Sequence, residues 1–280
     1  MCWACRSHTD FLYNMSLPDF ADVLSVYAEA DGVLQVTLSR PDVGNAINTQ
    51  MGQALEALWS SLTEDPGDVR CVLLTGSGEK VFCAGGDLKE RNGMSREQWN
   101  RQHQIFERAA AALIDCPLPV LAAVNGHAYG GGLELAMCCD FIYASEAARF
   151  ALPEVTLGIM PGMGGTQNLP RIVGQPRAME VLMTGQAFSA HQALEWGLVN
   201  RTFPSANLLA EAINTAKVIA RNAPLSIRQI KKSVRLGCQM ELRTAYRFEV
   251  EAYNHLVDTE DRREGVLASN EKRVPSFRGV

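Results

Sequence analysis

Short apolar runs alternate with amphipathic helices along most of the chain. The runs Cys71–Thr75, Val120–Val124 and Phe141–Ala144 are largely apolar, which is typical of buried strands. An amphipathic helix is predicted to begin near Asn48, and a capping-box pattern at Ser95 predicts the start of another. Strands that alternate with helices predict an α/β fold with parallel strands.

Beyond about Asn207 the sequence predicts helices only. Apolar residues recur there at helical spacing in three stripes, which are Leu209, Ile213, Ala216 and Ala220; Ile227, Ile230 and Val234; and Leu242, Ala245, Phe248, Ala252, Tyr253 and Leu256. We therefore divide the chain into a tail of residues 1–19, expected to be poorly ordered, a core of residues 20–206 and a helical region of residues 207–280. Such a helical region is expected to cover a site or to build an oligomer contact.

Charge and hydropathy exclude several classes of partner. The chain carries 26 basic and 31 acidic side chains, a net charge of -5, so no basic excess indicates a nucleic acid or an anionic membrane. A few local lysines or arginines can still hold a phosphorylated ligand. The sequence contains no apolar run of about 18 residues, so no transmembrane span is expected. Residues 1–14 lack the long apolar stretch of a secretory signal, and Met15 is an alternative start.

The 8 cysteines indicate free thiols rather than disulfides or a metal site. Most lie among apolar neighbours, as Cys138-Cys139 does, which is typical of buried thiols in a reducing compartment. Cys2 and Cys5 have the spacing of half a zinc site, but no second pair or suitable histidine follows. We interpret His127 as structural and expect His103 to be partly exposed. The prediction is a cytoplasmic protein without a metal.

Three segments rich in glycine carry the functional signal, and they are Val81–Glu90, Asn125–Ala136 and Leu152–Gln167. Backbone N–H groups at a helix N-terminus are unpaired and lie at the positive end of the helix dipole, so they suit a developing negative charge. Tight turns and close helix–strand packing are the alternative, and for a single cluster this alternative is favoured. A nucleotide cradle is disfavoured, because the GxGxxG and Gly-Lys-Ser/Thr patterns are absent from the sequence.

Two glutamates stand in apolar surroundings beside these glycines. Glu134 lies between leucines within a predicted helix, and Glu154 follows a proline in a stretch with little other charge. Burying a carboxylate is costly unless it is paired or functional, and desolvated carboxyl groups suit general acid–base chemistry near neutral pH. An ion pair with Arg149 or Arg171 is the structural alternative for either glutamate alone.

The ordered set of segments resembles the enoyl-CoA hydratase/isomerase (crotonase) family. The resemblance runs from Arg40-Pro41 and Asn45-Ala46, through the three glycine-rich segments, to Ala223-Pro224 and Glu271-Lys272-Arg273, and covers roughly residues 20–280. It implies a spiral of ββα units with a C-terminal helical region, assembled as a homotrimer or homohexamer. It also implies a coenzyme A thioester as substrate, with no separate cofactor.

The resemblance also implies roles for individual residues. The N–H groups of Gly86 and Gly131 would bind the thioester oxygen as an oxyanion hole. Glu134 and Glu154 would hold the catalytic water, Glu134 as its base and Glu154 as the acid that protonates Cα. The residues implied to bind the substrate or to line the coenzyme A channel are Ala84, Gly86, Asp87, Leu88, Lys89 and Gly131.

Other functions stay open on the sequence alone. Two glutamates favour a hydratase over an isomerase, which often needs one, and a thioester hydrolase or decarboxylase on the same scaffold is a further alternative. An RNA-binding protein is the alternative from a different class, because residues 82–91 and 261–273 resemble an RNA-binding branch. RNA binding needs clustered Lys or Arg, and residues 48–62 contain none. A non-catalytic scaffold is disfavoured by the intact glutamates and glycines.

Overall fold

The computed structural model describes Phe20 and residues 22–280, so the prediction for the tail of residues 1–19 lies outside the described part. The strands are β1 (Leu24–Glu29), β2 (Val33–Leu38), β3 (Cys71–Gly76), β4 (Val81–Cys83), β5 (Val120–Val124), β6 (His127–Tyr129), β7 (Phe141–Ser145), β8 (Arg149–Ala151), β9 (Phe188–Ser189) and β10 (Arg201–Phe203). The helices are α1 (Thr49–Glu64), α2 (Leu88–Arg91), α3 (Arg96–Asp115), α4 (Gly131–Cys138), α5 (Gly165–Val173), α6 (Gln175–Thr184), α7 (Ala190–Glu195), α8 (Ser205–Arg221), α9 (Pro224–Gly237), α10 (Leu242–Val257) and α11 (Glu260–Glu271). None of these helices is long and apolar enough to cross a bilayer.

The strands form two sheets, and from β3 to β8 the chain alternates between them. The six-stranded sheet has the order β1-β2-β3-β5-β7-β10, and only its edge strand β1 runs antiparallel. The four-stranded sheet has the order β4-β6-β8-β9, with β9 antiparallel. Successive strand pairs, β3 with β4, β5 with β6 and β7 with β8, place one strand in each sheet before the chain turns into a helix. The predicted spiral of ββα units is therefore confirmed.

Close approach of β4 to neighbouring elements explains why two glycines cannot carry a side chain. A Cβ on Gly76 in β3 would collide with the backbone of Phe82, and a Cβ on Gly132 in α4 would collide with the carbonyl oxygen of Cys83. Each collision is with backbone, which cannot rotate away as a flexible side chain can. For Gly132, which belongs to one of the glycine-rich segments, close helix–strand packing is therefore confirmed.

Both faces of the six-stranded sheet are buried. Val72 and Leu74 point into the main core, whereas Cys71 and Leu73 face α8. This arrangement explains why β3 is apolar along its whole length, since neither face of a covered parallel strand meets water.

Helix α8 covers the sheet with a stripe that is shifted from the predicted one. Its buried residues are Leu208, Ala212, Ala216 and Ala220. The predicted stripe was wrong in its first turn, because Leu209 is 40% exposed and Leu208 takes its place. Strict spacing of four residues back from Ala220 leads to Leu208, as one helix face requires. The helix also crosses the predicted boundary between residues 20–206 and 207–280 and packs against the core.

The apolar stripes predicted for the last helices lie in α9 and α10, and several of their residues are exposed in the single chain. Ile230 and Val234 are each 59% exposed, and Tyr253 is 66% exposed. Helix α9 is attached to the body through Lys231 and Asp140, whose side chains form an ion pair with N–O distance 2.9 Å. An apolar surface of this kind marks an interaction site more often than a free surface.

Candidate active site

Most of the predicted site residues line one cavity of about 550 Å³. It opens between the segment after β4, the N-terminus of α4, the 3-10 turn Pro153–Leu157 and helix α3. The predicted residues that line it are Ala84, Gly86, Leu88, Gly131, Glu134 and Glu154. A larger hollow of about 1030 Å³ between α9 and the body contains none of them, so the smaller cavity is the candidate active site.

Two backbone N–H groups lie side by side in the cavity wall. Gly131 is the first residue of α4, and Gly86 follows β4 in a short bridge to Ile47. Within the described residues, neither N–H finds a backbone acceptor. A Cβ built on Gly131 would lie 3.7 Å from the nitrogen of Gly86, so the two donors are neighbours. Paired donors at a helix N-terminus can hold an oxygen that gains negative charge.

Two further glycines shape the chain around these donors. Gly85 has φ +94° and Gly130 has φ +52°, both in the left-handed region that favours glycine. A Cβ on Gly85 would also lie 2.8 Å from the carbonyl oxygen of Tyr129. The paired turns therefore bring the two strand ends together and leave the next N–H in each segment unpaired.

Glu134 is a buried carboxylate that is held by backbone. It is 2% exposed, and its Oε1 accepts hydrogen bonds from the N–H groups of Met163 (2.7 Å) and Gly165 (2.8 Å). Burial raises its pKa, and the N–H groups of Gly165, Met163 and Gly162 offset part of that rise. Because Gly165 begins α5, the carboxylate also sits at the positive end of a helix.

Glu154 lies in the 3-10 turn Pro153–Leu157 and has a weaker set of partners. Its Oε2 is buried, and no atom among the described residues donates a hydrogen bond to it. Burial raises its pKa to about 7, and the nearby charge of Glu134 adds to the rise. The cavity therefore holds two carboxyl groups with raised pKa values, one that accepts hydrogen bonds from backbone N–H groups and one with a buried oxygen that no described residue donates to.

The arginines considered as structural partners of the glutamates are engaged elsewhere. Arg149 donates to the carbonyl oxygen of Ala187 at 3.5 Å, and Arg171 donates to that of Gln167 at 2.7 Å. Neither arginine forms an ion pair with Glu134 or Glu154 within the described part of the chain. The buried carboxyl groups are therefore held by backbone N–H groups or left without a partner.

Two of the residues assigned to the coenzyme A channel do not line the cavity, and they are Asp87 and Lys89. The Asp87 carboxylate pairs with Arg40 at 2.9 Å and accepts from the N–H of Lys89 at 3.1 Å, so it caps α2. These contacts hold the turn that presents Gly86. A direct role for Asp87 or Lys89 in binding coenzyme A stays a prediction.

The cavity also contains residues that the sequence analysis did not assign to it. Trp99, His103 and Phe106 form one face of α3, at the spacing of helix turns, and Arg91 precedes them. His103 is partly exposed, as predicted, and its ring lies against Gly162, where a Cβ would collide with it. The spacing was visible in the sequence, but it does not by itself tell a cavity wall from a core stripe.

The described cysteines do not form a metal-binding cluster at this site. Five described cysteines are buried and free, and Cys238 is exposed and free. Burial raises the pKa of the Cys83 thiol and of the Cys138 thiol to about 12, which makes both inert at neutral pH. Among the described residues, no group of three or more potential ligand side chains is close enough to hold a metal ion. Cys2 and Cys5 lie outside those residues.

Comparison with known proteins places the chain in a family. The family model described as enoyl-CoA hydratase/isomerase matches residues 28–280. The short-chain-enoyl-CoA hydratase of Clostridium acetobutylicum is 39% identical over 250 residues, which cover 89% of this chain and 95% of that protein. The (E)-benzylidenesuccinyl-CoA hydratase of Thauera aromatica is 38% identical over 248 residues, or 89% of this chain and 96% of that protein.

Solved structures agree with this placement. The crystal structure of an enoyl-CoA hydratase from Bacillus anthracis superposes with a TM-score of 0.90 at 40% identity, covering 92% of this chain and all of that chain. The chain belongs to the enoyl-CoA hydratase/isomerase family. The resemblance seen in the sequence, including its crotonase-like fold, is therefore confirmed.

The unpaired N–H of Gly131 provides a direct test of the oxyanion hole. We expect Gly131→Pro to abolish turnover of an enoyl-CoA thioester, because proline removes the donor while still fitting the first turn of a helix. Loss of one such donor typically lowers kcat by about a hundred- to a thousandfold. Gly131→Ala is the matched control, since it keeps the N–H and its Cβ would meet Met163 Sδ at an ordinary 3.5 Å. A folded Gly131→Pro protein with turnover near that of the Ala variant would refute the assignment.

The raised pKa of Glu154 predicts a pH dependence of stability. Its pKa is about 7 in the folded protein against an ordinary value of 4.5, so between these pH values the folded chain keeps a proton that the unfolded chain releases. Stability from this group is therefore present below about pH 4.5 and is lost as the pH rises towards 7. Glu154→Gln cannot ionise, so its melting temperature should gain on that of the wild type between pH 5 and pH 8. The exposed Glu97→Gln serves as control. A melting-temperature difference for Glu154→Gln that stays constant with pH would contradict the shift.

Proposed function

We propose that this protein is an enoyl-CoA hydratase, which adds water across the 2,3 double bond of a 2-enoyl-CoA thioester to give a 3-hydroxyacyl-CoA. One observation carries the proposal. A single cavity holds two carboxyl groups, Glu134 with backbone hydrogen bonds and Glu154 with an oxygen that lacks a donor, beside two N–H donors that have no acceptor among the described residues. Hydration needs a base, an acid and an oxyanion site, and these groups supply the three functions.

The proposed reaction starts with the thioester oxygen between the N–H groups of Gly86 and Gly131. The Glu134 carboxylate accepts a proton from water as the water oxygen bonds to Cβ of the substrate. The electrons of the double bond move towards the thioester, and the resulting enolate oxygen is stabilised by the two N–H donors. Protonated Glu154 then gives its proton to Cα. Transfer of a proton from Glu134 back to Glu154 restores the starting state.

The hydrogen-bond partners of the two glutamates, both of which have a raised pKa, support this division of roles. Backbone donors stabilise the charged form of Glu134, which a base requires. A buried and unpartnered oxygen favours the neutral form of Glu154, which an acid requires. Two carboxyl groups in one cavity also favour a hydratase over an isomerase that works with one.

We also propose the partners and location that go with this activity. The substrate brings its coenzyme A, so we propose no further cofactor, and the segment from Gly86 to Lys89 is proposed to follow the coenzyme A channel. A nucleic acid is not proposed as a partner, because helix α1 carries no Lys or Arg. The free buried thiols support a reducing compartment, and we propose the cytoplasm.

The exposed apolar faces of α9 and α10 support an oligomer. We propose a homotrimer or a homohexamer, in which these faces become buried between subunits. Light scattering at micromolar concentration should give three or six times the mass of one chain. A monomer under these conditions would refute the proposal.

The two glutamates provide the decisive test of the reaction. Glu134→Gln and Glu154→Gln should each lower kcat for hydration of crotonyl-CoA by at least about a hundredfold, because each removes a proton acceptor or donor while keeping shape. The double variant should cost far less than the product of the singles, because the two groups act as a unit. Hydration is followed as loss of absorbance between 260 and 280 nm.

A second readout separates the roles of the two groups. Proton exchange at Cα of the substrate should depend chiefly on Glu154, and the exposed Glu97→Gln serves as the matched control. Melting temperatures establish that each variant is folded. A folded Glu154→Gln protein that hydrates crotonyl-CoA and its longer or branched relatives at the wild-type rate would exclude the two-carboxylate mechanism.

A further inference from the structure

Arg91 brings a positive charge to the wall of the candidate active site. It ends helix α2 and lines the same cavity as the two glutamates. Its guanidinium lies over the ring of Trp99, with Cζ 4.3 Å from the ring centroid, and near that of Phe106, at 5.3 Å. The side chain is therefore held in one place by aromatic rings, with its charge beside the space that a substrate would fill.

Most hydrogen-bond donors of this guanidinium are unused. Its Nε donates to Oε1 of Gln102 at 2.8 Å, and within the described part of the chain Nη1 and Nη2 have no acceptor. Glu90, its sequence neighbour, is occupied, because its Oε2 accepts from the N–H of Thr49 at 2.9 Å and from Nε2 of Gln102 at 2.6 Å. Among the described residues, Arg91 therefore forms no ion pair.

A half-buried guanidinium without an ion pair is costly for the free protein. Burial lowers the pKa of Arg91, and the charges of Glu90 and Glu134 offset this only through space. A ligand that supplies the missing anion would offset this cost, because a guanidinium group can form two parallel hydrogen bonds with a carboxylate. An alkyl chain placed against the guanidinium group would desolvate the cation without providing a hydrogen-bond acceptor.

The location of Arg91 favours contact with the acyl part of the substrate over contact with its coenzyme A part. Its Nη1 is 3.3 Å from where a Cβ on Gly86 would lie, so it adjoins the proposed oxyanion hole. Trp99, His103 and Phe106 line the same cavity, as do Leu157 and residues 159–163. Of the residues that the structure describes, Arg91 is the one arginine or lysine in the lining of this cavity, so it is the group there that would pair with a further anion.

We propose that the preferred acyl chain carries a carboxylate that pairs with Arg91, so that the substrate class is the 2-enoyl-CoA thioester of a dicarboxylic acid. This inference rests on the proposed function for the chemistry of the double bond. Arg91 acts here as a specificity-determining residue, and it makes two hydrogen bonds to the carboxylate through Nη1 and Nη2.

Binding of unreactive saturated thioesters tests the proposal without catalysis. Calorimetry compares glutaryl-CoA, which ends in a carboxylate, with hexanoyl-CoA, which is apolar and of similar length. The wild type should bind glutaryl-CoA more tightly, and Arg91→Met should reduce the affinity for glutaryl-CoA relative to that for hexanoyl-CoA by about a hundredfold. Arg91→Lys should retain part of the preference, and Arg101→Met, at an exposed position on α3, should retain all of it.

Turnover of the matching enoyl thioesters separates this inference from the proposed function. The ratio of kcat/KM for glutaconyl-CoA to that for 2-hexenoyl-CoA should exceed one in the wild type and fall about a hundredfold in Arg91→Met. Equal losses for both substrates would mean that Arg91 contacts the thioester or the coenzyme and would overturn the inference, as would an unchanged ratio. If the folded wild type hydrates neither thioester, the proposed function fails, and the calorimetric preference still decides whether Arg91 binds a carboxylate.

Discussion

The hydrogen bonds between the Glu134 carboxylate and the N-terminus of α5 hold the candidate active site together. They join α4, which presents the N–H of Gly131, to the loop that ends at Gly165 and forms the opposite wall. The cost of burying the carboxylate is offset only where that loop places the N–H groups of Met163 and Gly165 against Oε1. A Cβ on Gly165 would lie 3.0 Å from Oε1, so the absence of a side chain is part of the same interaction.

The same interaction creates the difference between the two carboxyl groups. Glu134 takes the backbone donors, and Glu154, buried without a donor to Oε2, is left with both the desolvation and the charge of its neighbour. Two carboxyl groups in a low-dielectric cavity do not readily ionise together, so fixing one as the anion favours the proton on the other. In the proposed mechanism, the acid and the base are thus distinguished by loop geometry rather than by residue type.

Much of this arrangement could be predicted from the sequence, because it depends on local patterns. The strand at Cys71, the capping box at Ser95 and the two glutamates beside glycines all have short-range signals. Arg91 has none, since its place in the cavity depends on how α2 and α3 lie relative to Glu134 and Glu154, which are far from them in the sequence. Leu209 was placed on the buried face of α8 for a related reason, because a run of apolar residues leaves the phase of a helix uncertain by one position.

The division of labour between backbone and side chains explains how one scaffold can support different substrates. The proposed oxyanion donors are main-chain N–H groups, so no exchange of side chain at another position removes them. The packing of β3 and of α4 against β4 fixes Gly76 and Gly132 through collisions with backbone. The side chains of α2 and α3 and of the loop that follows Glu154 line the cavity without being fixed in this way. Under the proposed function, a single charged residue among them, such as Arg91, would change which acyl group is accepted without altering the reaction.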